Sequence, residues 1–346
     1  MSIFTSAYHG YMETMKESVD EGIDPHVLDL NNKSPLWYAC DNNRETMVEY
    51  LTSLPTVHRV INETDDNDYT PLRIASGGGN FNIIKLLVLA GADPTIGDDG
   101  GVTPMMTCID NYRFPPETKI EIMELLISKG VDINEKDYNG YTVLSRINPD
   151  HTSLIKFVLE NGADPNIEYV DENEPGYVYL TRVVSAGNLE AVKELLAHEA
   201  NPNKLSDEGG SLLALDPRLN SRKILRELLK AGADPNLVGE NGHTPLYDHI
   251  ERKYYKEVEL LLRAGANVNV TNNHNETPLD WCYLNIVENE SVRDLLIKVG
   301  GIANFTENIP EDDVYFDVQS LATYSRRIIT VNLIDISMIP LPLRFD

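Results

Sequence analysis

Two short motifs recur in register along this chain, and that recurrence leaves few folds open. The first follows an apolar run each time. It reads EGIDP at 21, AGADP at 90, KGVDIN at 129, NGADPN at 161, HEANPN at 198, AGADPN at 231 and AGANVN at 264, with VGGIAN at 299 as a looser copy. Its second positions fall at 22, 91, 130, 162, 199, 232, 265 and 300, so most intervals run from 32 to 39 residues. The first interval, 69, holds one degenerate unit, SLPTVHRVIN. The second motif keeps step as SPLWYA at 34, TPLRIA at 70, TPMMTC at 103, TVLSRI at 142, TPLYDH at 244 and TPLDWC at 277, with YLTRVV at 179 and SLLALD at 211 as worn versions. A fixed period of this length marks a stack of small helical units, each burying its faces only against its neighbours.

The residues explain the motifs. Thr70, Thr103, Thr244 and Thr277 are placed as N-caps whose hydroxyls accept from orphan first-turn amides. Pro71, Pro104, Pro245 and Pro278 follow at the first helical position, where a missing N–H is harmless. Leu72, Leu246 and Leu279 then point into the stack. A second helix carries the apolar pairs Leu86-Leu87, Leu125-Leu126, Leu195-Leu196, Leu228-Leu229 and Leu261-Leu262. Gly91, Gly130, Gly162, Gly232 and Gly265 end it in the left-handed conformation, and Asp or Asn opens a hairpin toward the next unit. Thr-Pro-Leu and Gly-Ala-Asp in this register resemble the ankyrin-repeat family. The resemblance implies an all-α, curved ankyrin-repeat solenoid over residues 1–306, about nine units counting the caps. Longer connections at 111–119 and 168–176 are expected on loops, where insertions often serve binding.

Composition narrows the function. Lys and Arg number 29 against 55 Asp and Glu, a formal charge of −26. That argues against nucleic-acid backbones and anionic membranes as partners and favours a basic protein partner or simple solubility. Cys40, Cys108 and Cys282 are too few and too widely spaced for a disulfide framework or zinc module. Cys108 and Cys282 lie five residues after their Thr caps, a small buried helix position rather than a nucleophile's setting. The eight His are scattered without metal-ligand spacing. His243, in NGHTPL, reads as hairpin-to-helix chemistry and not as a metal ligand. Adjacent acids such as Asp65-Asp66, Asp98-Asp99 and Asp312-Asp313 read as solvated loop tips. SGGGN at 76 lacks the Lys-Ser/Thr of a phosphate loop. The expectation is a protein that is not an enzyme and needs no cofactor. The absence of a signal-like start or a transmembrane-length apolar run points to the cytosol, with the nucleus as a second location.

The C-terminus differs from everything before it. After an acidic linker at 307–318 comes an apolar segment, 319–346, ending in SMIPLPLRFD. Leu321, Ser325, Ile328 and Ile329 share one helical face. Ser320, Leu321, Ser325 and Ile329, followed by Ile339, Pro340, Leu341 and Pro342, resemble the two elements of a SOCS box in the ankyrin-repeat and SOCS-box family. Ser325 stands where Cys is commoner, Ile339 where Leu is usual, and the chain stops four residues after Pro342. The resemblance implies a short helical segment in which Ser320, Leu321, Ser325, Ile328 and Ile329 bind elongin C of the elongin B/C pair. Ile339, Pro340, Leu341 and Pro342 would direct the choice of cullin-5 with its RING protein. The chain would then be a substrate-recognition adaptor of a ubiquitin ligase. The alternative is a binding or inhibitor module that sequesters a basic protein, with the tail as a mere cap.

The protein substrate, of unknown identity and expected to present a basic segment, is placed on hairpin tips and first helices. The residues are Asp65, Asp66, Tyr69, Asp98, Asp99, Val102, Tyr138, Tyr141, Glu240 and His243, with acidic tips forming a negative edge and tyrosines serving as anchors.

Overall fold

The Ser/Thr-Pro step and the left-handed glycine set where helices begin and end. In the computed structural model the chain is described over residues 2–171, 174–205, 209–215, 221–239, 242–284 and 290–303. Two compact units result, Met1–Tyr179 and the residues from Leu180 onward. The first holds α1 (Ile3–His9), α2 (Met12–Asp20), α3 (Pro35–Asp41), α4 (Glu45–Ser53), α5 (Pro71–Gly78), α6 (Phe81–Leu89), α7 (Pro104–Asp110), α8 (Pro116–Ile127), α9 (Val143–Arg146) and α10 (Thr152–Glu160). Strands β1 (Tyr169–Asp171) and β2 (Glu174–Tyr177) follow. The second unit holds α11 (Tyr179–Ala186, beginning at the boundary), α12 (Leu189–Ala197), α13 (Ser221–Lys230), α14 (Pro245–Glu251), α15 (Tyr255–Arg263), α16 (Pro278–Leu284) and α17 (Glu290–Lys298). Before α13 the first helix of the pair is reduced to a 3-10 turn, Leu212–Ala214.

Capping follows the sequence with one exception. The hydroxyls of Ser34, Thr70 and Thr103 accept from the amides of Trp37, Arg73 and Met106. Thr142 and Ser145 cap each other's backbone reciprocally. Thr277 accepts from the Asp280 amide at 3.2 Å. Thr244 holds the extended cap conformation, yet its hydroxyl makes no cap bond and is buried without a partner among the described residues. At the other helix end Gly91 and Gly232 have φ of +96° and +87°, and a Cβ there would touch nothing within 4 Å. Glycine is therefore required by backbone angle, not by space.

Within the first unit the first helices α1, α3, α5, α7 and α9 stack in series, and the second helices α4, α6, α8 and α10 form the layer behind them. The core lies between. Leu36, Leu72, Met105 and Leu144, two residues past each cap, are at most 2% exposed. One member of each Leu pair is fully buried: the second in the first unit, Leu87 and Leu126, and the first in the second unit, Leu195, Leu228 and Leu261. Cys40 and Cys108 are buried in the first unit and Cys282 in the second; burial pushes the thiols of Cys108 and Cys282 up to about 12 and Cys40 upward too. They are inert fillers.

Side chains stitch successive repeats together along the hairpin side. Asn134 donates to Gly162 O (2.9 Å) and accepts from the Asp164 amide (2.8 Å). Asn236 does the same with Gly265 O (3.2 Å) and the Asn267 amide (2.6 Å), and Asn269 with Gly300 O and the Ile302 amide. Both halves of each amide are thereby used by the next repeat's backbone. The two insertions differ. Asn111 donates to Ser76 O and Gly77 O, and Phe114 is buried, which ties the first insertion to the stack. The second forms the antiparallel β1–β2 ribbon, with Tyr169 opposite Tyr177 and Asp171 opposite Glu174.

Replacing Asn236 by Ala removes two inter-repeat bonds at once. It is expected to cost about 1–3 kcal/mol, read as a lowered urea midpoint of the full chain. A second expectation concerns acid. His26 is 2% exposed and neither ring nitrogen has a hydrogen-bond partner among the described residues. Burial lowers its pKa from the ordinary 6.5; the Asp24 carboxylate pulls it up, while Arg59 and His58 push it down. The unfolded imidazole therefore takes up its proton at higher pH than the folded one. Its contribution is intact above about pH 6.5 and is lost as pH falls toward the folded value. His26→Leu should flatten the fall in urea midpoint between about pH 7 and 5.5.

Candidate protein-binding surface

Each hairpin needs a partner for its turn amides, and an acid five residues before the cap supplies it. Asp65 Oδ1 accepts from the Asn67 and Tyr69 amides, both at 3.0 Å. Asp98 Oδ1 accepts from Gly100 and Val102 (3.0 and 2.9 Å), and Asp137 Oδ1 from Asn139 and Tyr141 (2.9 and 2.8 Å). The second oxygen of each takes a cation. Arg73 Nη2 and Nε reach Asp98 Oδ2 at 2.8 and 3.2 Å, Arg146 Nη2 bonds Asp137 Oδ2, and Lys33 Nζ lies 3.8 Å from Asp65 Oδ2. These carboxylates are 4–7% exposed.

The expected edge must therefore be redrawn. Asp65 and Asp98 are not rim charges: their oxygens are committed to the turn and to a cation inside the protein. Asp66 and Asp99, their neighbours, are exposed, and Asp66 Oδ1 accepts from Asn32 on the preceding tip at 2.8 Å. Tyr69 is half-buried beneath the Arg73 guanidinium, 4.8 Å from its ring centre. Tyr141 is half-buried, stacked on Tyr169 at 4.7 Å, with Arg146 above it. Val102 is half-buried. Tyr138 is 80% exposed and fits an anchor. Its amide donates to Gly100 O of the preceding tip (3.0 Å), and a Cβ on Gly101 would strike its ring at 2.9 Å. Glu240 lies outside the described residues, as do Ser320, Leu321, Ser325, Ile328, Ile329, Ile339, Pro340, Leu341 and Pro342. His243 belongs to the second unit. Its half-buried ring stacks on Tyr247 (5.3 Å, 19°) and meets Trp281 edge-on, with Nδ1 3.5 Å from Asp248 Oδ1. Burial raises the Asp248 carboxyl, against the pull of His243 and Arg252.

The structure also assembles a patch absent from the expected set. Phe4 and Tyr8 of α1 meet Tyr38 of α3 edge-on at 6.1 and 6.4 Å, and Trp37 meets it at 5.5 Å. Tyr38 donates to Asp29 Oδ2 at 2.7 Å. That bond, then burial and the charges of Asp29 and Asp41, pushes the phenol up to about 12. Tyr8 and Asp41 are exposed beside it. The sequence signal was present: Phe4 and Tyr8 are spaced i, i+4 on a first helix. The rings and the exposed Asp41 carboxylate together form a surface suited to guanidinium or ammonium groups.

A sequence model of a protein family described as ankyrin repeats, three copies, matches residues 3–98, 79–169 and 212–307. The chain belongs to the ankyrin-repeat family. Its fold is the ankyrin solenoid, and its repeats are a protein-binding module. Human palmitoyltransferase ZDHHC13 is 34% identical over 203 residues, 56% of this chain and 30% of that protein. The mouse B-cell lymphoma 3 protein homolog is 28% identical over 188 residues, 54% of this chain and 41% of that protein. The chain thus spans less than half the length of either relative. The crystal structure of the human ASB11 ankyrin repeat domain superposes with a TM-score of 0.52 at 20% identity, covering 68% of this chain and 99% of that one. At that identity the likeness is one of fold alone. Among the described residues no helix is long and apolar enough to cross a membrane.

The two kinds of acid separate by mutation. Arg73→Met leaves the buried Asp98 charge without its cation and is expected to destabilise by about 3–5 kcal/mol. Asp99→Asn, one residue away, should leave the urea midpoint essentially unchanged.

Proposed function

We propose that this chain is an adaptor without chemistry of its own, acting in the cytosol or nucleus. Its repeats hold a protein partner through a basic segment. Residues 319–346 recruit elongin B and C, and through them cullin-5 with its RING protein. The observation that carries the first half is the disposition of charge in the first unit. Lys33, Arg73 and Arg146 are turned onto the hairpin acids and onto the rings of Trp37, Tyr69 and Tyr141. Asp41, Asp66 and Asp99 face solvent. The rings and the exposed Asp41, Asp66 and Asp99 offer a partner aromatic and anionic contacts, to which an arginine- or lysine-bearing segment is the complementary ligand.

The ligase half is supported by the Ser320-Leu321…Ser325…Ile329 and Ile339-Pro340-Leu341-Pro342 pattern. It is also supported by how the last helix pair is closed. Thr277 Oγ1 donates to Ile302 O at 2.7 Å and the Ile302 amide donates to Asn269 Oδ1 at 2.8 Å. The final hairpin connection is thus bonded among residues before 304, and these bonds do not call on the tail. Recruitment then works by proximity, raising the effective concentration of a ubiquitin-loaded enzyme at the bound substrate.

Leu321→Asp is the decisive variant, because losing one buried leucine from an interface costs on the order of 2 kcal/mol or more. Calorimetry with purified elongin B/C should show binding to the full chain and none to the variant, with thermal unfolding of the repeats unchanged. If the variant's repeats unfold at much lower temperature, the tail is a structural cap and the sequestering module replaces the adaptor.

A further inference from the structure

The repeat that begins at α14 lacks two features that the repeats beginning at α3, α5, α7, α9 and α16 share. Five residues before the cap, Asp29, Asp65, Asp98, Asp137 and Asn272 each offer one side-chain oxygen to two turn amides. Here that position is Gly239, which has no side chain, and the described turn bonds are Gly239 N to His243 O and Gly242 N to Gly239 O, both 2.9 Å. The cap bond is missing as well, since the Thr244 hydroxyl has no partner among the described residues. Among the described residues this hairpin shows neither of those two side-chain ties to the helix it feeds.

A different constellation stands at that place. His243, Asp248 and Glu251 each present a ligating atom, and these atoms lie within 4.8 Å of one another. Asp248 and Glu251 are spaced i, i+3 and share one face of α14. His243 is the hairpin residue that precedes the cap. Its ring plane is fixed from two sides, by the face of Tyr247 at 5.3 Å and the edge of Trp281 at 6.1 Å. Arg252, the neighbouring cation, donates to Ala214 O.

We propose that His243, Asp248 and Glu251 form a binding site for a divalent transition-metal ion, zinc, which ties this hairpin to α14 in place of the missing aspartate. The distance between the first two ligands decides it. His243 Nδ1 and Asp248 Oδ1 are 3.5 Å apart, longer than a good N–H···O bond. Two ligands bound tetrahedrally at about 2.0–2.1 Å from zinc are separated by about 3.3 Å, so the pair already spans an ion. Glu251 is exposed, so its side chain is free to turn toward the pair when an ion binds. One imidazole and two carboxylates suit zinc; calcium and magnesium prefer all-oxygen shells of six or more ligands, and no thiolate is present to favour copper(I). The site opens toward solvent on the Glu251 side, which leaves a fourth position for water. A ligand role for His243 reverses the expectation that it serves hairpin-to-helix chemistry and not as a metal ligand.

The test uses the full chain stripped of metal with a chelator. Cobalt(II) is titrated in and followed by its visible d–d absorption; zinc is titrated in and followed by calorimetry and thermal unfolding. The expected results are a cobalt spectrum of nitrogen and oxygen ligation, a zinc-dependent rise in unfolding temperature, and uptake of one ion at this site. Glu251→Gln should weaken zinc binding by about tenfold or more, the scale on which even outer-shell partners act. His243→Asn should remove the cobalt bands. Glu251 is exposed, so its variant reports even if the His243 variant folds poorly. The proposal is overturned if the parent chain takes up no zinc, if both variants bind as the parent does, or if cobalt shows the sulfur charge-transfer of cysteine ligation.

Discussion

A charge buried in a turn governs much of this protein. Asp98 and Asp137 are taken out of water because one oxygen must satisfy two hairpin amides that no helix or strand can reach. A buried carboxylate is tolerable only when paired, so each demands a cation. Arg73 and Arg146 answer that demand, and to reach it they lie over Tyr69 and Tyr141. A requirement of local turn geometry thus removes two arginines and two tyrosines from the surface a partner can meet. The acidic, aromatic character left outside follows from that internal pairing more than from the bulk composition.

Most of the fold was legible because its causes are local. A cap hydroxyl, a proline at the first helical position and a glycine at positive φ each act within a few residues of themselves, and so Thr70, Pro71 and Gly91 announce their roles in any sequence. The site was less legible because neighbouring acids look alike. Asp65 and Asp66 differ by one residue and have opposite fates, one bonded inside and one in water. The signal that separates them is register: Asp29, Asp65, Asp98, Asp137 and Asn272 all stand five residues before the cap. Tyr141 and Tyr138 show the same limit, since which ring is covered depends on Tyr169 and Arg146, reached only through the fold. The Phe4–Tyr8–Tyr38 cluster needed the stacking of α1 on α3, a contact between repeats that no single window contains.

Register also locates the exceptions. In a nearest-neighbour array each unit's stability is its own plus that of its two interfaces, so a weakened hairpin is not averaged away over the chain. At Gly239 the turn keeps its backbone bonds and loses its side-chain anchor, and at Thr244 the helix keeps its cap conformation without the cap bond. Such a unit opens locally at lower free energy than its neighbours. Departures from a local rule that gather in one place, rather than scattering, are where function is sought first.

The same argument explains why a ligand would matter more there than elsewhere on the stack. An ion held by His243 from the hairpin and by Asp248 and Glu251 from α14 binds only when the two are docked, so its binding free energy opposes their separation directly. At a hairpin already anchored by a buried aspartate and an arginine, the added tie would act against an opening that is rare to begin with. At this one, it acts on the step the missing aspartate has made easiest. Local stability at this hairpin would then follow the free concentration of the ion, while the inter-repeat ties made by Asn236 and Asn269, bonds that need no ligand, would not.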